Sequence, residues 1–148
     1  MKVSDAMTGQ VSTAAPTDTV RKVAQVMAHV ETGAVPIVDD AGKVVGLVTD
    51  RDIVLRVVAE GRSFDSPISE AMSEGEVQSV LEDDVLADAT AKMASHQIRR
   101  LVVLNEAGKL TGILSLGDVA KDYGAKQVGK TLEEISAEPS DTAASAAN

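Results

Sequence analysis

The chain has 148 residues, of which 44% are hydrophobic, 1% aromatic and none cysteine, and its formal net charge is -9. The missing cysteines exclude disulfides, thiolate catalysis and Cys-based metal sites. The acidity argues against non-specific binding to nucleic acid or to anionic lipid, since both require a positive field.

The N-terminus, Met1-Lys2-Val3-Ser4-Asp5, has no apolar run of the signal-peptide kind. No stretch reaches the roughly 18 apolar residues that span a bilayer. These features predict a soluble, cytoplasmic protein with no membrane or nucleic-acid partner. The length suits one ordinary domain or two small ones sharing a core of Val, Leu, Ile, Ala and Met. Val3-Ser-Asp-Ala-Met7 recurs as Ile68-Ser-Glu-Ala-Met72, 65 positions on, and Ala41-Gly42-Lys43 recurs as Ala107-Gly108-Lys109, 66 positions on. One extra residue near Glu74 accounts for the difference. Two copies of a unit this long predict duplicated halves packed face to face with pseudo-two-fold symmetry.

Val3 to Met7 reads as one helical turn, and Val11 to Thr13 as a short extended piece. Pro16-Thr17-Asp18 opens a helix, with Thr17 or Asp18 as N-cap. Val20, Val23, Ala24, Met27 and Val30 form its buried face, and Gly33 closes it as a left-handed cap. Ala34 to Val38 is a buried strand with Pro36 at an edge or beside a ligand. Asp39-Asp40-Ala41-Gly42 is a turn, and Lys43 to Val48 returns as a hairpin strand. Asp50 to Glu60 is a helix stopped by Gly61. Its residues Ile53, Val54, Val57 and Val58 form one apolar face, with Leu55 well round from the middle.

Residues 62–67 link the halves, so 1–61 and 68–124 form the two repeats. In the second, Val77 to Val80 is extended, and Asp83 or Asp84 caps a helix bearing Leu86, Ala89 and Met93. Strands follow at Arg100 to Leu104 and Lys109 to Leu114, and Leu116 to Tyr123 is a helix ended by Gly124. Thr131 can cap a short helix in the remaining tail, 125–148. Beyond Ala137 the tail is too poor in apolar residues to fold alone, and it is expected to be mobile or ordered only by packing.

The chemistry gathers where each repeat closes. Gly46-Leu-Val-Thr49-Asp-Arg-Asp52 and Gly112-Ile-Leu-Ser115-Leu-Gly-Asp118 both place a hydroxyl, and a carboxylate three residues later, at a strand-to-helix junction. The spacing is that of a capping box, which is a sufficient structural reason for it. A helix N-terminus is also a ready anion site, the hydroxyl can donate to a phosphate, and the carboxylate can accept ribose hydroxyls. The apolar runs Ala34-Val35-Pro36 and Leu101-Val102-Val103 offer slots for a flat base. Arg51 offsets the acidity that Asp39, Asp40, Asp50 and Asp52 give the first half. Arg99, Arg100 and Lys121 make the second more favourable to a polyphosphate. Arg99 and Arg100 are equally well read as surface charges at a strand edge. His29 and His96 lack partners at metal spacing, and Met27 and Met93 are core candidates. There is no nucleophile–base pair, so an enzyme is not expected and no metal or cofactor is required.

These motifs resemble the CBS domain, a tandem pair of which forms the regulatory unit called a Bateman module. The resemblance also covers Gly-Ala-Val-Pro-Ile-Val at 33–38 and His-Gln-Ile-Arg-Arg-Leu at 96–101, and spans residues 1 to 124. It implies an α/β fold of two CBS repeats, each a short β-sheet with packed helices. It further implies an adenosyl ligand such as AMP, ADP, ATP or S-adenosylmethionine in the cleft between the repeats. Asp52 and Asp118 would hold ribose hydroxyls, and Thr49 and Ser115 would touch phosphate. Val35, Pro36, Leu101 and Val102 would flank adenine, while Arg51, Arg99 and Arg100 complete the nucleotide-binding set. Val102 stands where the first half has Pro36, so the second base slot departs in shape. The output would be an unidentified protein target or the protein's own assembly. The resemblance implies a homodimer through the helices after each motif, which the broadly apolar segment around Leu55 also suggests. The alternatives are that Phe64 or Leu132 covers Leu55 within one chain, and that the protein is a ligand-free structural dimer or interaction module.

Overall fold

The computed structural model describes residues 1–73, 77–123 and 132–136. Along the chain the elements are α1 (Val3–Ala6), β1 (Thr8–Gly9), α2 (Val20–Val30), β2 (Ala34–Val38), β3 (Val44–Thr49) and α3 (Asp50–Ile53). The last runs on as a π-helical segment over Val54–Val58, and a 3-10 turn follows at Ile68–Glu70. Then come β4 (Ser79–Leu81), α4 (Leu86–His96), β5 (Arg100–Leu104), β6 (Leu110–Ser115), α5 (Leu116–Tyr123) and α6 at 132–136. The fold is mixed α/β. It packs as two compact units, one formed by Val11–Val77 and the other by Met1–Gln10 with Gln78–Asn148. The sequence repeat opens at Val3 and Ile68, ahead of these packing boundaries. The opening turn of each repeat is thus built into the unit that contains the other repeat's motif.

In the unit Val11–Val77, β2 and β3 form an antiparallel hairpin with Ala34 opposite Thr49. The Asp39 carboxylate accepts the N–H groups of Ala41 (3.0 Å) and Lys43 (2.9 Å), and Gly42 takes the left-handed conformation that closes the turn (φ 84). Ala14 extends the hairpin by a parallel bridge to Ile37. It donates to the Pro36 carbonyl and accepts from the Val38 N–H, so the ladder never calls on the N–H that Pro36 lacks. Val20, Val23 and Met27 of α2 pack with Val35, Ile37, Val48, Ile53, Val57, Ile68 and Ala71.

Four expectations for α2 and α3 are corrected here. Thr19, not Thr17 or Asp18, is the N-cap of α2 and accepts from the Lys22 N–H (3.1 Å). Asp18 is occupied by the Ala15 N–H (2.8 Å) and the Lys22 ammonium (3.2 Å). Ala24 and Val30 are exposed, because α2 is rotated so that Val26 is the partly buried flank of its face. The left-handed residue ending α2 is Glu31 (φ 55), with its N–H bonded to the Met27 carbonyl, rather than Gly33. In the segment after the first motif only Ile53 and Val57 are buried, and Val54 and Val58 face outward with Leu55. The linker 62–67 is part of this unit's fabric. The Ser66 and Phe64 carbonyls accept the N–H groups of Val20 and Arg21, and Arg21 lies 5.7 Å over the Phe64 ring.

In the other unit, strands are ordered β1-β6-β5-β4, with β4 parallel to β5 and the remaining pairs antiparallel. Leu86, Ala89 and Met93 of α4 pack on Val80, Leu101, Val103 and Leu114, together with Val3, Val119 and Ile135. The expected cap at Asp83 or Asp84 is again displaced. Val85 occupies the N-cap with no side-chain bond, and Asp84 instead accepts the Leu81 N–H (2.9 Å). The Met1 carbonyl accepts the Leu86 N–H, as Ser66 does for Val20. Gln97 (φ 54) ends α4 in the left-handed conformation that Glu31 takes after α2. Ile135 brings α6 onto the core of this unit. Gly124, the Thr131 cap and residues 137–148 lie outside the described residues.

A candidate ligand site at two strand-to-helix junctions

The first motif joins β3 to α3. The Thr49 hydroxyl accepts the Asp52 N–H (3.2 Å), and Asp52 Oδ2 accepts the Thr49 N–H (2.8 Å), a closed capping box. The Asp50 N–H donates to the Gly33 carbonyl. The second motif repeats this between β6 and α5. Asp118 Oδ2 accepts the Ser115 N–H (3.0 Å), the Ser115 hydroxyl accepts the Asp118 N–H (3.1 Å), and the Leu116 N–H donates to the Arg99 carbonyl. The capping function read from the spacing is therefore present in both copies.

The glycine that opens each motif has a packing cause. A Cβ on Gly46 would lie 2.6 Å from the Met72 sulfur, and one on Gly112 would lie 2.8 Å from the Met7 sulfur. Met7 and Met72 are the matching residues of the two opening turns. Each motif is thus seated under the methionine of the opposite repeat, and the bare glycine backbone lets it approach.

The base-slot candidates divide by the pleat of their strands. Val35 and Leu101 belong to the cores of their units, with Ile37 and Val103. Pro36 and Val102 alternate to the opposite face and are also buried. Arg51 lies exposed in the first turn of α3. Arg100 is half-buried and directly opposite Ser115 across β5 and β6, with the exposed Arg99 beside it. The structure so brings Arg99, Arg100, Ser115 and Asp118 together in one unit, and Thr49, Arg51 and Asp52 in the other.

Two further residues complete the first junction. Ser73 donates its hydroxyl to Asp52 Oδ1 (3.5 Å), and the Arg56 guanidinium approaches the same oxygen at 4.0 Å while donating to the Met72 carbonyl (2.7 Å). The Asp52–Arg56 pair is legible as an i,i+4 spacing on a helix. Ser73 gives no such signal, because it arrives from the opening turn of the next repeat. Met27 and Met93 are core residues. His29 and His96 are exposed, and among the described residues no three His, Asp or Glu side chains converge as a metal site would require.

The arrangement has counterparts among known proteins. The family model described as the CBS domain matches twice, over residues 3–59 and 68–124. The CBS domain-containing protein YhcV of Bacillus subtilis (strain 168) is 42% identical over 135 residues, covering 90% of this chain and 94% of its own. The CBS domain protein PAE2072 of Pyrobaculum aerophilum, solved in complex with AMP, superposes with a TM-score of 0.75 at 28% identity, covering 88% of this chain and 98% of its own. The CBS domain pair of protein MJ0100, solved with 5'-methylthioadenosine and S-adenosyl-L-methionine, gives 0.74 at 25% identity, over 85% and 98%. With both junction motifs falling inside the two matched segments, the chain belongs to the CBS domain family and carries a tandem pair of these domains.

Proposed function

We propose that this protein is a regulatory module that binds an adenine nucleotide or a related adenosyl compound and transmits occupancy through a partner or its own assembly. The observation that carries this reading is the junction at Ser115. Within one unit it assembles an eight-residue helix start, a hydroxyl, a carboxylate and two flanking arginines. These groups suit the phosphate and the ribose of one ligand. The likeness to chains solved with AMP and with S-adenosyl-L-methionine supports an adenosyl ligand. The ligand is bound without turnover.

The test is equilibrium dialysis of the full chain against AMP, ADP, ATP and S-adenosylmethionine. Saturable binding that is lost when Asp52 and Asp118 are both replaced with Ala is the expected result, with the nucleotide recovered intact. A folded protein that binds none of the four would overturn the reading. We further propose that the protein is a homodimer. The outward helical face of Val54, Leu55 and Val58 favours this, each being about half exposed.

A further inference from the structure

We infer that the two motifs are not equivalent, and that Asp118 alone remains available to a ligand while Asp52 has become a structural carboxylate. The inference rests on the adenosyl-binding reading above and narrows it to one molecule per chain.

Both oxygens of Asp52 are engaged inside the fold. Oδ2 holds the Thr49 N–H, and Oδ1 faces the Ser73 hydroxyl and the Arg56 guanidinium. Arg56 is itself tied to the Met72 carbonyl, so the network fastens the motif to the turn that packs over it. The residue is 9% exposed, and its partner Thr49, whose hydroxyl would have to meet a phosphate, is 1% exposed. A ligand there would have to displace a charge-assisted contact and open a buried hydroxyl.

The second junction has the same cap, and among the described residues it has no counterpart of the lock. Asp118 uses Oδ2 for the Ser115 N–H, and among the described residues no hydrogen bond or ion pair reaches Oδ1. Ser115 and Asp118 are both partly open to solvent. Gly117 stands where the first motif has Arg51, leaving the first turn of α5 bare. In the sequence repeat, Asp122 stands at the position of Arg56, so the lock's cation is not encoded there. The positive charge sits instead on the other side of the junction. Arg99 and Arg100 stand at the start of β6's partner strand, where the first unit has Gly33 and Ala34. An anion meets a positive field at the second motif and an occupied carboxylate at the first.

Titration calorimetry of the full chain with AMP tests this. The unaltered protein is expected to take one AMP per chain, and Asp118→Asn to weaken that binding at least tenfold with no second site left behind. Asp52→Asn should lower the melting temperature more than Asp118→Asn does. Two molecules per chain, or a full-strength site surviving in Asp118→Asn, overturns the inference and leaves the adenosyl-binding reading intact. No binding of AMP, ATP or S-adenosylmethionine to the unaltered chain overturns both. Stoichiometry is read on the unaltered chain, so the test stands even if a variant fails to fold.

Discussion

A methyl group on either motif glycine meets the opposite repeat, but the two clashes differ in kind. At Gly46 the near atoms all belong to the Met72 side chain, which can rotate away. At Gly112 the nearest atom is the Thr8 carbonyl oxygen, at 2.6 Å, which belongs to the backbone of β1. Gly112→Ala should therefore destabilise by about 1–3 kcal/mol, the usual range for overpacking, and Gly46→Ala by less. Urea midpoints of the two variants check the ordering; equal losses would mean that β1 yields as readily as a methionine. At the neighbouring arginines the discriminating quantity is ligand charge. Replacing Arg99 and Arg100 with Ala should weaken ATP about tenfold or more, the effect of losing a charge-assisted hydrogen bond, and leave adenosine nearly unchanged. Parallel titrations decide it, and an equal fall for both ligands would return these side chains to the role of strand-edge charges.

Among the elements, the start of α2 combines four partners, two beside it and two from the linker. Thr19 caps it, the Ser66 and Phe64 carbonyls accept its first N–H groups, and Asp18 anchors the turn before it. The hydrogen bond from the Ala15 N–H holds the Asp18 carboxyl below its ordinary value against the opposing effect of burial, with the Lys22 ammonium adding to the lowering. A folded value below the unfolded one means that the stabilisation is complete above the unfolded value of 3.8 and is lost as pH falls through the folded one. Melting temperatures of the protein and of Asp18→Asn should thus differ at neutral pH and converge in acid; a constant gap would assign the effect to shape rather than charge. This helix also shows which features could be read from the sequence. The buried positions Val20, Val23 and Met27 of its apolar spacing, the hairpin turns at Gly42 and Gly108, and both capping boxes are local patterns found where the spacing placed them, whereas Ala24 and Val30 are not. The caps of α2 and α4 carry no such local signal, because carbonyls from residues 64–66 and from Met1 do part of the work that a side-chain cap would do. Arg56 could have been found by helix spacing, whereas Ser73 and the two methionines reach their motifs only through the exchange of opening turns. In the π-helical segment the apolar positions are too many for the spacing to show which of them the core reaches, and the core takes Ile53 and Val57 alone.

At the scale of the whole molecule, the apolar side chains left on the outside of this segment form the surface on which the proposed dimer would rest. Val54, Leu55 and Val58 are 54%, 49% and 55% exposed and lie together on the outward side of one short helical stretch. Phe64, the linker residue named as a candidate cover for Leu55, is turned to Arg21 and is itself 48% exposed. Beside the apolar side chains opens a groove of about 750 Å³ lined by Leu55, Arg56, Glu60, Arg62 and Glu70, with both signs of charge. A two-fold contact sets each patch against its own copy, so an apolar stripe flanked by cations and anions is complementary to itself. Burying such a face against a second chain removes apolar area that a monomer leaves in water, at about 25 cal/mol per Å². The expected species at micromolar concentration is thus a dimer. Sedimentation should report twice the chain mass, and Leu55→Glu, which places a charge in the stripe, should shift the protein to the monomer without lowering its helix content. An unaltered chain that sediments as a monomer, with or without AMP, removes the dimer; a Leu55→Glu protein that still dimerises moves the interface off this helix.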